Sequence, residues 1–280
     1  MSELRIDALL PGEMARRAEY IGVRKAEVPT LKMFALALLA GAFIALGAVF
    51  ATTVATGAAG VLSYGVTKLL VGFVFCLGLV LVIVGGAELF TGNNLIVMAW
   101  ASGKVTTKSL LRNWVIVYLG NFVGALFTAV LVGLSRQYTF DGGAVGVTAL
   151  SIANAKIGLG FGQAVALGVL CNALVCLAVW MSFSARSTVD KIAVIVFPIT
   201  AFVAAGFEHS VANMYFIPIG LLIKQLDPGF IANVGLDLSG LTWSAFFINN
   251  LLPVTIGNII GGSVFVAAIY WSIFLRSSDR

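Results

Sequence analysis

Charge is scarce in this chain of 280 residues. Asp, Glu, Lys and Arg together make up 10% of the sequence, whereas hydrophobic residues make up 60%. Soluble domains carry about 25% charged residues, which keep their surfaces hydrated. The composition therefore excludes an ordinary soluble fold and predicts an integral membrane protein.

Cysteine and histidine are also too few to build a metal site. Cys76, Cys171 and Cys176 all lie within apolar runs, and His209 is the single histidine. Free thiols in such runs are small packing residues, and a zinc or disulfide pattern would need more partners. An enzyme would need a nucleophile with its base or a metal cluster, so we expect no enzyme activity, metal or cofactor.

Six apolar runs reach the ~20 residues that a membrane-spanning helix needs. They cover residues 33–56, 69–101, 114–134, 157–181, 192–222 and 246–275. No continuous hydrophobic core precedes Met33, so the sequence predicts no signal peptide, and the first span is expected to direct insertion.

The net charge of +5 is a topology signal and not a sign of nucleic-acid binding. Thirteen cations flank one side of the predicted spans: Arg5, Arg16, Arg17, Arg24, Lys25, Lys32, Lys104, Lys108, Arg112, Arg186, Lys191, Arg276 and Arg280. Four flank the other: Lys68, Arg136, Lys156 and Lys224. The positive-inside rule predicts that both termini are cytoplasmic, in a bacterial-type inner membrane.

Two stretches inside the apolar runs repeat one motif. Residues 86–93 read Gly-Ala-Glu-Leu-Phe-Thr-Gly-Asn, and residues 206–213 read Gly-Phe-Glu-His-Ser-Val-Ala-Asn. The shared positions are Gly86, Glu88 and Asn93 in the first copy and Gly206, Glu208 and Asn213 in the second. A carboxylate at membrane depth is expensive, so each Glu marks a candidate functional site. Two matching sites indicate a transport pathway.

The second and fifth runs are too long for one straight helix. Each has roughly 30 residues, which would extend ~45–50 Å against a hydrocarbon core of ~30 Å. The sequence predicts breaks at Gly86 and Gly92 in one run and at Gly206 in the other. Irregular backbone at membrane depth is tolerated only in protein or beside a cavity, so both motifs are expected to face inward.

A second repeated pattern indicates an internal duplication. Asn113 precedes Gly-Asn-Phe-Val-Gly at 120–124, and Asn250 precedes Gly-Asn-Ile-Ile-Gly at 257–261. The halves, about 33–134 and 157–275, each hold three spans, so they must insert with opposite orientation. The predicted fold is all-α, with six transmembrane helices in a 3+3 inverted repeat and helices 2 and 5 broken at mid-membrane. The glycines spaced four apart predict close helix packing.

Together these residues resemble the formate/nitrite transporter family. Its two signatures are similar to residues 86–92 and to Cys-Asn-Ala-Leu-Val-Cys-Leu-Ala at 171–178. Residues 9–15, 207–210 and 253–261 look most like the formate channel branch. The resemblance spans nearly the whole chain and implies an aquaporin-like protomer, a homopentamer with one pore per subunit, and a small monovalent anion such as formate as substrate.

His209 lies beside a predicted helix break. Because its unperturbed pKa is near neutrality, imidazole can donate or accept a proton, and a neutralised acid crosses an apolar constriction more cheaply than its anion. The alternative is a packing or hydrogen-bonding histidine. Glu208 either orients this region or caps the helix that begins at Ser210.

The other predicted pathway residues each have a structural alternative. Thr91 is expected to bond the imidazole or the passing carboxylate, as the resemblance implies, or to cap a helix. Lys156, placed in the outer loop before span four, either gathers anions or is a surface lysine. Asn172 either receives the anion or bonds between helices. Asn93 and Asn213 are expected to brace the breaks.

The resemblance also implies hydrophobic constrictions on either side of the histidine. The matching positions are Phe75, Leu79, Phe90, Val175 and Phe202. Such rings exclude hydrated ions by dewetting. The residues expected to shape the helix breaks themselves are Gly86, Glu88, Gly92, Asn93 and Gly206.

The segment 1–32 has apolar residues near helical spacing and predicts an amphipathic helix at the cytoplasmic membrane surface. The resemblance implies a formate-producing lyase as its partner, and a plain interfacial anchor is the alternative. Residues 33–275 form the predicted channel domain, and 276–280 a cytoplasmic tail.

The predicted function is formate transport, by a bidirectional channel or a proton-coupled conduit, with nitrite or another small anion as the alternative substrate. An aquaporin-type solute channel would need Asn-Pro-Ala at its breaks, which this sequence lacks.

Overall fold

The computed structural model describes residues 8–276, and within that range it contains helices and turns but no β-strand. The all-α prediction is therefore confirmed for this part of the chain. The predicted amphipathic segment and the predicted tail extend into residues 1–7 and 277–280, which lie outside the described residues.

Eleven helices are described between residues 8 and 276. They are α1 (Pro11–Glu27), α2 (Thr30–Ala55), α3 (Tyr64–Gly85), α4 (Val97–Ala101), α5 (Thr107–Leu134), α6 (Ala144–Ile157), α7 (Phe161–Ser182), α8 (Thr188–Ala204), α9 (Ser210–Leu226), α10 (Pro228–Ile231) and α11 (Trp243–Phe274). Short 3₁₀ turns cover Gly92–Ile96, Gln137–Thr139 and Asp141–Gly143, and α11 contains π-helical stretches at Phe246–Leu251 and Ile260–Ala268.

Five helices, α2, α3, α5, α7 and α11, are long and apolar enough to cross a membrane, and α9 is apolar but shorter. A helix suits this medium because it satisfies its backbone polar groups internally. Side chains cap several helix starts: the Thr106 hydroxyl accepts from the Ser109 amide at α5, and the Ser187 hydroxyl accepts from the Asp190 amide at α8.

Both copies of the repeated motif lie where the regular backbone hydrogen bonding of a helix ends. Helix α3 ends at Gly85, and Gly86 has φ +73°; helix α8 ends at Ala204, and Gly206 has φ +75°. Positive φ is strained for residues with a Cβ, so glycine is the residue that these turns require. The chain then resumes as the 3₁₀ turn at Gly92 and as α9 at Ser210.

The two halves pack their helices in the same way. Helix α2 packs on α3 and α5, and α7 packs on α8 and α11. A Cβ on Gly124 would overlap the carbonyl oxygen of Leu38, and a Cβ on Gly261 would overlap that of Val169. The prediction that these glycines serve close helix packing is confirmed.

Helix α1 rests on protein. Met14, Ala15 and Ala18 are buried on one face, while Arg16 and Arg17 are exposed on the other. The helix packs against the 3₁₀ turn at Gly92–Ile96 and against α4. Its last turn therefore reaches the first helix break.

Candidate functional site

A partly buried ion pair lies beside each copy of the repeated motif. In the first half, Glu88 Oε1 lies 2.8 Å from Lys25 Nζ, and Glu88 Oε2 accepts from Asn93 Nδ2 at 2.7 Å. The same amide nitrogen also donates to Asn113 Oδ1 at 2.9 Å. Lys25 comes from the last turn of α1, so this helix supplies the charge that Glu88 needs when it is removed from water.

The second half repeats these three contacts and adds a hydrogen bond from Asn250 Nδ2 to Glu208 Oε2 at 3.3 Å. Glu208 Oε1 lies 2.7 Å from Lys156 Nζ, and Glu208 Oε2 accepts from Asn213 Nδ2 at 2.7 Å. Asn213 Nδ2 also donates to Asn250 Oδ1 at 2.7 Å. Lys156 lies in the last turn of α6 and not in a loop, which corrects its predicted placement. Its side chain is 16% exposed, so it is not a free surface lysine.

His209 sits at the start of α9 with both ring nitrogens engaged. Nδ1 accepts a hydrogen bond from the Ala212 backbone N–H at 3.0 Å, and Nε2 lies 3.0 Å from Thr91 Oγ1. Because a backbone N–H can only donate, Nδ1 is unprotonated, and the neutral imidazole carries its hydrogen on Nε2, where it donates to Thr91. The residue is 3% exposed.

These bonds bear on whether Glu208 and Thr91 cap helices, which was the alternative role given for each. His209 itself caps the start of α9. The Glu208 carboxylate instead forms an ion pair with Lys156 and accepts a hydrogen bond from Asn213. Thr91 precedes the 3₁₀ turn but makes no side-chain capping bond; its hydroxyl bonds the imidazole across the junction of the two halves.

Two cavities share lining residues with a small gap at His209: Phe75 and Phe202 line both the gap and the first cavity, and Leu79 and Leu89 line both the gap and the second. The first cavity, of about 280 Å³, is lined by Lys156, Glu208 and His209 among others. The second cavity, also of about 280 Å³, is lined by Lys25, Glu88 and Leu89 among others. Between them lies a gap of only about 10 Å³, lined by seven apolar side chains and His209. A gap of this size holds about one water molecule.

Four of the five predicted constriction residues line that gap: Phe75, Leu79, Val175 and Phe202. The fifth, Phe90, lies outside this set, and its ring packs edge-on against Trp114 and Tyr118. Sequence reasoning missed three lining residues, Ile44, Leu89 and Ile199. Leu89 had a signal, since it occupies the position of His209 in the repeated motif. That these side chains form a pore stays a prediction.

Asn172 is committed to interhelical bonds. It is fully buried, and its Nδ2 donates to the carbonyl oxygens of Thr91 at 3.2 Å and Asn258 at 2.7 Å and to Asn94 Oδ1 at 3.2 Å. It is absent from the lining of the three cavities around His209. The geometry favours the structural alternative for this residue.

Comparisons with known proteins identify the family of this chain. The sequence model of a family described as "Formate/nitrite transporter" matches residues 12–272. The Formate channel FocA of Escherichia coli (strain K12) is 48% identical over 278 residues, covering 98% of this chain and 97% of that protein. The Formate channel FocA of Haemophilus influenzae is 43% identical over 261 residues, covering 92% of each.

A solved structure described as "Pentameric formate channel with formate bound" superposes with a TM-score of 0.83 at 48% identity. The match covers 88% of this chain and 98% of that one.

Proposed function

This chain belongs to the formate/nitrite transporter family, and we propose that it transports formate across a membrane. The resemblance read from the repeated motifs is confirmed by the family match and by relatives named as formate channels. The expectation that the chain is not an enzyme is also confirmed, because the family and these relatives are transporters and channels.

For the architecture, we propose six spans in a 3+3 inverted repeat, with the second and fifth interrupted beside Glu88 and Glu208. The spans would be α2, residues 64–101, α5, α7, residues 188–226 and α11. Support comes from the two matching sets of Lys, Glu and Asn bonds. Assembly as a homopentamer is supported by the description of the matching solved structure as pentameric.

The observation that carries the transport proposal is a pair of cavities separated by a small apolar gap with one histidine in its wall. Lys156 in the first cavity is paired with Glu208, but Lys68 lines the same cavity as a further cation, which favours the approach of an anion. Helix α9 begins directly after His209, so its N-terminal partial positive charge adds to this attraction.

At the gap, we propose that formate crosses as the neutral acid. The lining is apolar except for His209, so a desolvated anion would be strongly disfavoured there. His209, the polar residue in the lining of the gap, is hydrogen-bonded to Thr91, and these two side chains are the groups we propose to handle the proton. Residues Lys156, Glu208 and Asn213 line the first cavity and complete the proposed pathway.

The cation distribution supports an inner membrane location with both termini cytoplasmic. Helix α1, which supplies Lys25, would then lie on the cytoplasmic side. A formate-producing lyase that docks near this helix is the partner that the family resemblance suggests, and it is part of this proposal.

The test uses purified protein in liposomes that contain a pH dye, with zero membrane voltage and an imposed formate gradient. Wild-type protein is expected to acidify the interior, whereas His209→Ala and His209→Asn are expected to reduce this acidification by at least about 100-fold, the usual loss when a proton-transfer group is removed. His209→Asn matters because it keeps a polar side chain but cannot titrate.

Parallel arms with nitrite, hydrosulfide and chloride define the substrate. Faster flux of nitrite than of formate would make nitrite the substrate. Unchanged acidification with His209→Asn would contradict the proton role but leave formate transport standing. Elution of each variant as the same oligomer as wild type on a sizing column shows that lost flux is not lost folding.

A further inference from the structure

The peptide groups on both sides of His209 are bonded to one side chain, that of Asn258. Asn258 Nδ2 donates to the carbonyl oxygen of Glu208 at 2.9 Å, and Asn258 Oδ1 accepts from the backbone N–H of Ser210 at 2.9 Å. The first group belongs to the peptide bond before His209 and the second to the peptide bond after it. One amide therefore spans the histidine.

Such a bridge fixes the direction of the imidazole. The orientation of the two flanking peptide planes sets φ and ψ of His209, which are −112° and 114°. Those angles set the Cα–Cβ direction, from which the side-chain torsions χ1 and χ2 then place the ring. Only with this direction do Nδ1 reach the Ala212 amide and Nε2 reach Thr91.

Asn258 is itself held rigidly. It is fully buried, and the second hydrogen of its side-chain amide is donated to the carbonyl oxygen of Gly168 at 2.8 Å. Its backbone carbonyl oxygen accepts a hydrogen bond from Asn172 Nδ2 at 2.7 Å. Both donor hydrogens and the acceptor oxygen of its side chain are thus used. The bridge is anchored on α7 and α11, which also pack closely at Gly261.

The first half contains the same bridge around a different residue. Asn121 Nδ2 donates to the carbonyl oxygens of Glu88 at 2.9 Å and Ala37 at 2.7 Å, and Asn121 Oδ1 accepts from the Phe90 N–H at 2.9 Å. The residue between these two peptide groups is Leu89, whose side chain has no polar atom that would need to be oriented. Asn121 is equally buried, so it is a matched control for the folding role alone.

We propose that Asn258 is a positioning residue for His209, setting the direction of its ring for proton handling, in addition to any contribution to folding. The proposal rests on the transport function above. Its first readout is nevertheless independent of transport.

That readout is nitrogen NMR of protein labelled with ¹⁵N-histidine, reconstituted in lipid and purified without a histidine tag. Since the chain has one histidine, every signal belongs to His209. Wild-type protein is expected to show one unprotonated Nδ1 and one protonated Nε2. Asn258→Ala is expected to shift or split both signals, whereas Asn121→Ala is expected to leave the Nδ1 signal unchanged, because the Phe90 backbone that Asn121 bonds adjoins Thr91, the partner of Nε2.

The second readout is formate-driven acidification over a range of pH, scaled to the amount of folded protein. Asn258→Ala is expected to lower the rate at least about tenfold and to change its pH profile, because a wrongly oriented imidazole is no longer aligned to transfer a proton to formate. Asn121→Ala is expected to keep the wild-type profile. If either alanine variant fails to fold, the isosteric pair Asn258→Asp and Asn121→Asp replaces it in both measurements.

Unchanged ¹⁵N signals in the folded Asn258 variant would overturn the proposal, as would equal shifts from the matched Asn121 variant. If wild-type protein fails to move formate but the ¹⁵N contrast appears, the transport proposal fails while the positioning of His209 by Asn258 stands. Formate transport without the ¹⁵N contrast overturns positioning only.

Discussion

The two halves of this protein share a scaffold and differ at its centre. Around each break, a lysine, a glutamate and three asparagines make corresponding bonds. At the position that the scaffold presents to the gap, one half has Leu89 and the other has His209. The repeated motif therefore makes corresponding bonds in both halves, whereas the imidazole is present only in the second.

A second comparison concerns the helices that precede each half. Lys25 of α1 and Lys156 of α6 occupy corresponding places opposite their glutamates. Helix α1 is thus part of the channel domain's structure, because its Lys25 supplies the positive charge that the buried Glu88 carboxylate needs. The last helices differ: α5 is regular, whereas α11 has π-helical stretches on either side of Asn258.

The largest expected effect comes from removing each buried glutamate. Breaking a buried ion pair costs about 3–5 kcal/mol, since it leaves the partner charge uncompensated. Lys25 is 27% exposed and Lys156 is 16% exposed, so Lys25 finds water more readily. Glu208→Ala is therefore expected to lower the midpoint of thermal unfolding more than Glu88→Ala does.

Flux measurements separate the two roles. Glu88→Ala is expected to leave the preference among formate, nitrite and chloride unchanged, because Glu88 braces the half without the histidine. Glu27→Ala, which removes an exposed carboxylate, is the control for the loss of one charge. Normal stability together with an altered anion preference in Glu88→Ala would reverse this assignment.

The glycines at the two breaks are expected to show equal, smaller effects. Gly86→Ala and Gly206→Ala both force a side chain onto positive φ, although each new Cβ meets nothing within 4 Å. Backbone strain alone then predicts a loss of about 1–2 kcal/mol at each site. Gly65→Ala, at an open position inside α3, is the control and is expected to be neutral or slightly stabilising. Unequal losses at Gly86 and Gly206 would show that the breaks are not equivalent.

The smallest expected change in stability is that of Thr91→Val, which gives the first half the residue found at Val211 in the second. It removes the bond to His209, worth about 1 kcal/mol, so the free energy of unfolding is expected to fall by about that amount and formate flux roughly fivefold. Thr128→Val removes a buried hydroxyl bond to the Gly124 carbonyl oxygen elsewhere and is the control. Equal flux losses in both variants would mean that the Thr91 bond has no special role.

Much of this site was accessible from the sequence because apolar length and repeated spacing are local properties. The motif spacing predicted Gly86 and Gly206 as break residues, Asn93 and Asn213 as braces, and His209 as the central group. The same spacing aligns Leu89 with His209, and Leu89 does line the gap. The family resemblance instead implied Phe90, which does not.

Pairings between distant segments were not accessible in this way. Nothing near Lys25 or Lys156 in the sequence identifies the glutamate that each one meets, 63 and 52 residues away. Asn172 and Asn258 are likewise polar residues in apolar runs whose partners lie on other helices.

The sequence by itself determined that the chain is an all-helical membrane protein of this family, with two copies of one motif and a single histidine in the second copy. Those features depend on composition, spacing and glycine, which act over a few turns of helix. The tertiary structure alone decided that the Ala212 N–H bonds Nδ1 of His209 and which side chains line the gap. Hydrogen bonds and ion pairs depend on distances of about 3 Å, and these are set by how helices from both halves pack.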